Sequence, residues 1–193
     1  MKNLNICIDI DGTITDPYFW LNIANKYFNK NITIDEVTEY EIDKVMGITT
    51  EEYEDFYNNN KLEMHNQEIK LRENAKEILE ELIKINNIYF VTARDNDLKI
   101  ITYSYLKKKN IPYDDIFLLG THHKVDKAKE LKCDIFIEDS YANALELSEN
   151  GFKVFLIDTN YNRKPLNKNI IKVSNWNEIY EIVKEISLRS KAM

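Results

Sequence analysis

The stretch LNICIDIDGT, residues 4–13, decides the fold. Leu4 to Ile10 is β-branched and apolar with few charges, short enough for a strand buried on both faces of a parallel sheet. It breaks off in Asp9-Ile10-Asp11-Gly12-Thr13, so the first strand delivers carboxylates to a loop. Cys7, between Ile6 and Ile8, is most simply a small buried residue. The run is too short for the core of an export signal, and charges interrupt every other apolar stretch well before the roughly 20 residues of a membrane span.

The 193 residues carry 26 Lys plus Arg against 33 Asp plus Glu, a net charge of −7. That balance argues against holding a nucleic-acid polymer, which requires a basic face. Two cysteines, Cys7 and Cys133, form no CxxC pair, so neither a disulfide framework nor a zinc knuckle is indicated and a cytoplasmic setting is expected.

From Asp16 to about Asn60 the pattern turns to short helical stretches rich in aromatics. Asp16 before Pro17 reads as a helix start, and Thr33 with Glu36 and Thr49 with Glu52 have the spacing of capping boxes. Beyond them strands and helices alternate. Expected are helix 73–85, strand 88–91, helix 97–109, strand 116–119, helix 125–131, strand 135–137, helix 141–150, strand 154–157 and a final helix 175–188. This alternation predicts an α/β fold, a parallel sheet covered by helices on both faces with right-handed crossovers. The expected division is a core of residues 1–15 and 72–193 and a small helical cap, 16–71, inserted after the first strand.

In an open α/β sheet ligands bind beyond the carboxyl ends of the strands. Those ends carry Asp9 and Asp11, then Thr92, then the loop to Lys124, then Glu138 and Asp139. Carboxylates converging there repel one another unless a cation sits among them, and hard oxygen ligands suit Mg²⁺. The hydroxyl of Thr92 and the charge of Lys124 offer what a phosphate needs.

These residues, in this order, resemble the haloacid dehalogenase superfamily of phosphatases: DIDGT at 9–13, Thr92 closing the next strand, Lys124 ahead of a helix, and the acidic pair Glu138-Asp139. The aromatic cap, VTAR at 91–94, IEDSYANAL at 137–145 and DTNYNR at 158–163 are similar to the bacterial branch related to cytosolic 5′(3′)-deoxyribonucleotidases. The resemblance implies a Rossmann-like core and a Mg²⁺-dependent phosphatase acting on a phosphate monoester, a nucleoside monophosphate in this branch. It implies Asp9 as nucleophile, forming an aspartyl phosphate, and Asp11 as general acid and base. Mg²⁺ would be held by Asp9, the backbone carbonyl of Asp11 and Asp139, with Glu138 bound through water or orienting the ligands. Thr92 and Lys124 would hold the phosphoryl oxygens, and Gly12 would permit a tight turn bringing backbone N–H groups to the phosphate.

Several residues have plainer readings. Thr92 can cap a following helix, and Glu138 with Asp139 can cap one beginning near Ser140. Lys127, one turn past Lys124, competes for its role. Arg94 either touches the phosphate or pairs with an acid. His122 and His123 read as loop residues near the rim, because adjacent histidines rarely bind one ion without further ligands. Of the cap aromatics most fill a small core, while Phe19, Trp20 and Tyr40 are the candidates for the substrate pocket. Since the core handles only phosphate, a sugar-phosphate phosphatase is the nearest alternative. Alternatives of another class are a phospho-accepting signalling module and a nucleotide-binding scaffold without turnover.

Overall fold

The computed structural model describes residues 4–191; the outermost residues of the expected core, 1–3 and 192–193, lie outside it. Its centre is a six-stranded sheet in the order β3-β2-β1-β4-β5-β6, all parallel. The strands are β1 (Asn5–Ile8), β2 (Asn87–Thr92), β3 (Asp115–Leu118), β4 (Ile135–Glu138), β5 (Lys153–Ile157) and β6 (Ile170–Val173). Sequence reading finds the first five and misses β6. Only Ile170 and Val173 of that strand are buried, so it has the weak pattern of an edge.

Successive residues of β1 point to opposite faces, and both faces are covered. Ile6 and Ile8 join one cluster with Phe90, with Ala75, Leu79 and Leu82 of helix α4 (Ala75–Leu82), with Leu106 of α5 (Lys99–Lys109), and with Trp176, Ile179 and Val183 of α8 (Trp176–Lys191). Cys7 joins the other, with Phe136, Val154 and Leu156, against α6 (Val125–Glu130) and α7 (Tyr141–Glu149). Continuous apolar strands are what a sheet buried on both sides requires.

Three helices lie between β1 and α4: α1 (Leu21–Phe28), α2 (Ile42–Met46) and α3 (Thr50–Asn66). Both expected capping boxes form, Thr49–Glu52 starting α3 and Thr33–Glu36 starting a short 3₁₀ turn. The start expected at Asp16 does not. Asp16 Oδ1 accepts from the Tyr18 amide at 2.8 Å, making a local turn, and α1 begins later, at Leu21. The segment has its own small core of Trp20, Leu21, Ala24, Met46, Phe56 and Met64, which also takes in Tyr161 from the loop after β5. An antiparallel bridge, Thr15 to Leu71, ties its two ends together.

Candidate active site

The strand order changes direction between β1 and β4, where a crevice opens. Their register pairs Ile8 with Ile137, and the Asp9 amide donates to the Ile137 carbonyl at 3.0 Å, so Asp9 and Glu138 leave the sheet side by side. Asp9, Glu138 and Asp139 each offer an oxygen within 4.8 Å of the others, all buried.

Lys124, just ahead of α6 and 1% exposed, is the cation between them. Its Nζ donates to Asp9 Oδ1 and Glu138 Oε1, both at 2.6 Å. Lys127 points elsewhere, over the Phe117 ring at 4.4 Å with Glu130 as partner. Burial would lower the Lys124 pKa, but Asp9 and Glu138 outweigh it and hold the ammonium charged. Glu138 is saturated: Oε1 also accepts from Asn143 Nδ2 at 2.9 Å, and Oε2 from the amides of Asp139 and Ser140 at 2.9 and 3.0 Å. Burial pushes its pKa up, yet Lys124 and these donors bring it below the usual range. Ser140 Oγ caps α7 by accepting from Asn143 N.

The remaining two acids are less well matched: Asp9 shares Lys124 with Glu138, and the carboxylate of Asp139 accepts from hydroxyls. Burial drives the Asp9 carboxyl well up; Lys124 opposes this, while Glu138, Asp139 and Asp11 add to it. Asp139 is pushed up to about 7 by burial and by Glu138, against the hydroxyl of Tyr161, which donates to Oδ2. Thr13 Oγ1 donates to Asp139 Oδ1 at 3.3 Å. Two buried oxyanions whose protonated forms are favoured for want of positive charge suit a hard divalent cation.

Asp11 faces a different environment. Arg94 grips it with two bonds, Nε to Oδ2 at 2.8 Å and Nη2 to Oδ1 at 2.6 Å, and spends Nη1 on Thr102 Oγ1 at 3.0 Å. Arg94 thus pairs with an acid, one of the two roles open to it, and also lines the cleft. Burial pushes Asp11 up, but Arg94 outweighs it and holds the carboxyl below the usual range. Thr92 is buried at the end of β2; its hydroxyl accepts from the Arg94 amide at 3.3 Å and caps no helix, since α5 starts only at Lys99.

Gly12 has φ +75°, and a Cβ there would lie 2.2 Å from Asp139 Oδ2. Its amide donates to Thr15 Oγ1 at 3.1 Å, so Gly12 supplies room beside Asp139 rather than a free N–H for phosphate. Arg72 Nε braces this turn through the Gly12 carbonyl at 2.6 Å, and Trp176 Nε1 through that of Thr13 at 3.1 Å.

A cleft of about 510 Å³ opens over these groups and is walled by the helical segment. Phe19, Trp20 and Tyr40 all line it, joined by Tyr53, Tyr57 and Tyr161. Tyr40 meets the rings of Tyr161 at 5.6 Å and His122 at 6.1 Å. The adjacent histidines thus part: His122 lines the cleft, while His123 turns to Glu146 at 2.6 Å and Asp126 at 3.3 Å. Cys7 and Cys133 are free and buried.

Sequence reasoning assigns no role to Tyr161 or His65. Tyr161 had a signal in DTNYNR, whose Asn162 also donates to the Asp139 carbonyl at 2.7 Å. His65, in the last turn of α3, is 5% exposed and lines the cleft.

Residues 2–193 match the family described as 5′ nucleotidase, deoxy (pyrimidine), cytosolic type C (NT5C). The chain is 56% identical over its full length to the full length of a nucleotidase of Clostridium acetobutylicum, and 39% identical to YqfW of Bacillus subtilis over 91% of each. Among solved structures it is similar to a haloacid dehalogenase-like hydrolase of Streptococcus pneumoniae, at a TM-score of 0.70 and 16% identity, covering 93% of this chain and 98% of that one. It is also similar to the haloacid dehalogenase-type protein YfnB of Bacillus subtilis in a magnesium-bound crystal form, at 0.60 and 16%, covering 95% and 100%. With an acidic crevice at the sheet's switch point and a full-length family match, the chain belongs to the NT5C nucleotidases, phosphoric monoester hydrolases built on the haloacid dehalogenase fold.

Proposed function

We propose that the protein is a Mg²⁺-dependent 5′-nucleotidase that hydrolyses (deoxy)nucleoside monophosphates through an aspartyl phosphate on Asp9. The observation that carries this reading is the contrast on one rim. Asp9 and Asp139 crowd together short of positive charge, while Asp11, two residues from Asp9, is clamped by Arg94.

An oxygen of Asp9 forms a bond to phosphorus as the ester P–O bond breaks, and Asp11 gives its proton to the departing oxygen. Asp11 then takes a proton from the water that attacks phosphorus, freeing Asp9 and inorganic phosphate. Arg94 keeps Asp11 in the base form that this second half needs; for the first half, Asp11 must be protonated against that grip. Thr92 and Lys124 stabilise the phosphoryl oxygens as charge moves through the transition state. Glu138, with four hydrogen bonds, keeps Lys124 in place. Asp9, Asp139 and the Asp11 carbonyl would hold Mg²⁺, with Glu138 behind them. When bound, the ion offsets the repulsion between a carboxylate nucleophile and a dianionic phosphate.

The walls of the cleft favour a nucleoside over a plain sugar, because Phe19, Trp20, Tyr40, Tyr53 and Tyr57 line it and bases stack on aromatic rings. The helical segment, 16–71, is read as the cap that supplies them. Phosphate release from a panel of nucleoside monophosphates, sugar phosphates and p-nitrophenyl phosphate, with and without Mg²⁺, tests the proposal. Nucleotides are expected to lead, Asp9→Asn to abolish turnover, and beryllium fluoride to trap on Asp9. Metal-independent turnover, or full activity in Asp9→Asn, defeats it.

A further inference from the structure

The 3₁₀ turn Asn160–Asn162, just after β5, grips the helical segment at one end and an acid of the crevice at the other. Asn160 donates from its amide to the Tyr18 hydroxyl at 3.2 Å and from Nδ2 to the Ile34 carbonyl at 3.0 Å. Asn162 Nδ2 donates to the carbonyls of Asp139 at 2.7 Å and Ile157 at 2.8 Å. Tyr161, between them, does both. Its ring is 5% exposed and packs in the small core of the helical segment, edge-on to Tyr18 at 6.2 Å and to Tyr40 at 5.6 Å. Its hydroxyl donates to Asp139 Oδ2.

Packing alone asks only for a ring at this position, and phenylalanine would supply one without carrying a hydroxyl into a buried acidic crevice. The use of the hydroxyl lies in what it does to Asp139. Both oxygens of that carboxylate accept from hydroxyls, Oδ1 from Thr13 and Oδ2 from Tyr161. Neutral donors fix the orientation of a carboxylate without cancelling its charge, whereas Arg94 fixes Asp11 and neutralises it as well. A carboxylate that keeps its charge and loses its rotation is what a hard cation needs in a ligand. Of the two hydroxyls, that of Thr13 comes from the turn after β1, while that of Tyr161 comes from a ring seated in the helical segment.

We propose that Tyr161 is a positioning residue: its hydroxyl orients Asp139 toward the metal ion, and the helical segment, by holding its ring, sets that orientation. This rests on the Mg²⁺-dependent nucleotidase reading and deepens it, because Tyr161 also lines the cleft, so the wall that meets the nucleoside and the acid that meets the ion share one side chain.

The test compares wild type with Tyr161→Phe, which keeps the ring and removes the hydroxyl, and with Tyr18→Ala, which loosens the grip on the turn without touching Asp139. Mg²⁺ is titrated calorimetrically into the substrate-free protein, phosphate release from a deoxynucleoside 5′-monophosphate is followed against Mg²⁺ concentration, and Tm is measured without metal. Tyr161→Phe is expected to bind Mg²⁺ about 10-fold more weakly, the usual cost of losing a group that orients a metal ligand, and the Mg²⁺ midpoint for activity is expected to move by the same factor. Tyr18→Ala is expected to weaken Mg²⁺ binding in the same direction and by less. A tyrosine that serves packing alone would lower Tm and leave Mg²⁺ affinity where it is. Unchanged affinity in Tyr161→Phe, or in Tyr18→Ala, therefore overturns the proposal while leaving the nucleotidase reading intact. Wild type that neither binds Mg²⁺ nor releases phosphate overturns both.

Discussion

Replacing Gly12 by Ala places a methyl where Asp139 already is. The added Cβ would lie 2.2 Å from Asp139 Oδ2, 2.7 Å from its Cγ and 2.9 Å from the Tyr161 hydroxyl, whereas ordinary contact begins near 3.4 Å. The carboxylate has to retreat by about 1.2 Å, or the turn has to open. Neither is free: Arg72 and Trp176 pin the carbonyls of Gly12 and Thr13, and Thr13, Tyr161 and Asn162 pin Asp139. A left-handed backbone at Ala adds about 1–2 kcal/mol, which lowers Tm by about 2–8 °C in a chain of this size. For catalysis, a displacement near 1 Å costs on the order of 10²-fold, and on the proposed mechanism, in which Asp139 would hold Mg²⁺, it should strike kcat and the dependence on Mg²⁺ together. Phosphate release titrated with Mg²⁺, beside thermal unfolding, separates the two effects. If Gly12→Ala keeps kcat within about 3-fold at the wild-type Mg²⁺ midpoint, Asp139 does not act at the reacting centre and the site has been misassigned.

Lys124→Met strands two buried carboxylates, Asp9 and Glu138, and is expected to cost about 3–5 kcal/mol in urea unfolding at pH 7; a loss below about 1 kcal/mol, the scale of an exposed pair, shows that solvent reaches the pair. Phe56→Ala removes the fully buried ring that packs on Tyr27 and Phe28 at 5.1 and 5.2 Å. It is expected to cost about 3–5 kcal/mol and, on the proposed reading in which the helical segment shapes the cleft and the core would hold the phosphate, to raise KM more than it lowers kcat. Equal effects on both parameters would contradict that division of labour. Asp158 is held below the usual carboxylate range by hydrogen bonds from Arg163 and Lys172. A folded pKa below the unfolded value contributes stability that is present above the unfolded value, near 3.9, and lost as pH falls through the folded one. Asp158→Asn should therefore melt lower than wild type at pH 6, and the gap should close on acidification below about pH 4; a gap independent of pH shows that the charge is not what matters there.

What could be read in advance follows from how local each signal is. β1 and its two acids are legible because a short, mostly apolar run ending in Asp-x-Asp has few other uses. The capping boxes at Thr33 and Thr49 are legible because both partners lie within one turn. β6 is not, since half its residues face outward and the stretch before it is an irregular, Asn-rich loop. Nor is His65. The helix α3 is polar along most of its length and buries only Phe56, Met64 and His65, so the histidine becomes remarkable to a reader only once its burial is known.

The deepest of these gaps concerns the two acids that sequence identifies most easily. Asp9 and Asp11 differ by nothing in composition, and two residues of spacing cannot say which is held ionised. Their difference arises from partners more than 80 residues away: Arg94 with two bonds to Asp11, and Lys124 with one bond to Asp9 that it shares with Glu138. A shared lysine leaves Asp9 and Asp139 short of positive charge, where a divalent ion gains most; an unshared arginine leaves Asp11 ionised without one. On the proposed mechanism Asp11 would trade a proton with water, and Asp9 and Asp139 would hold the ion beside the phosphate. Neutralising Arg94 should therefore change the protonation of Asp11 with little effect on the affinity of Asp9 and Asp139 for metal, a separation that calorimetric Mg²⁺ titration of Arg94→Gln would reveal beside its pH–rate profile; a loss of Mg²⁺ affinity matching the loss of activity would show that the two carboxylates act as one cluster.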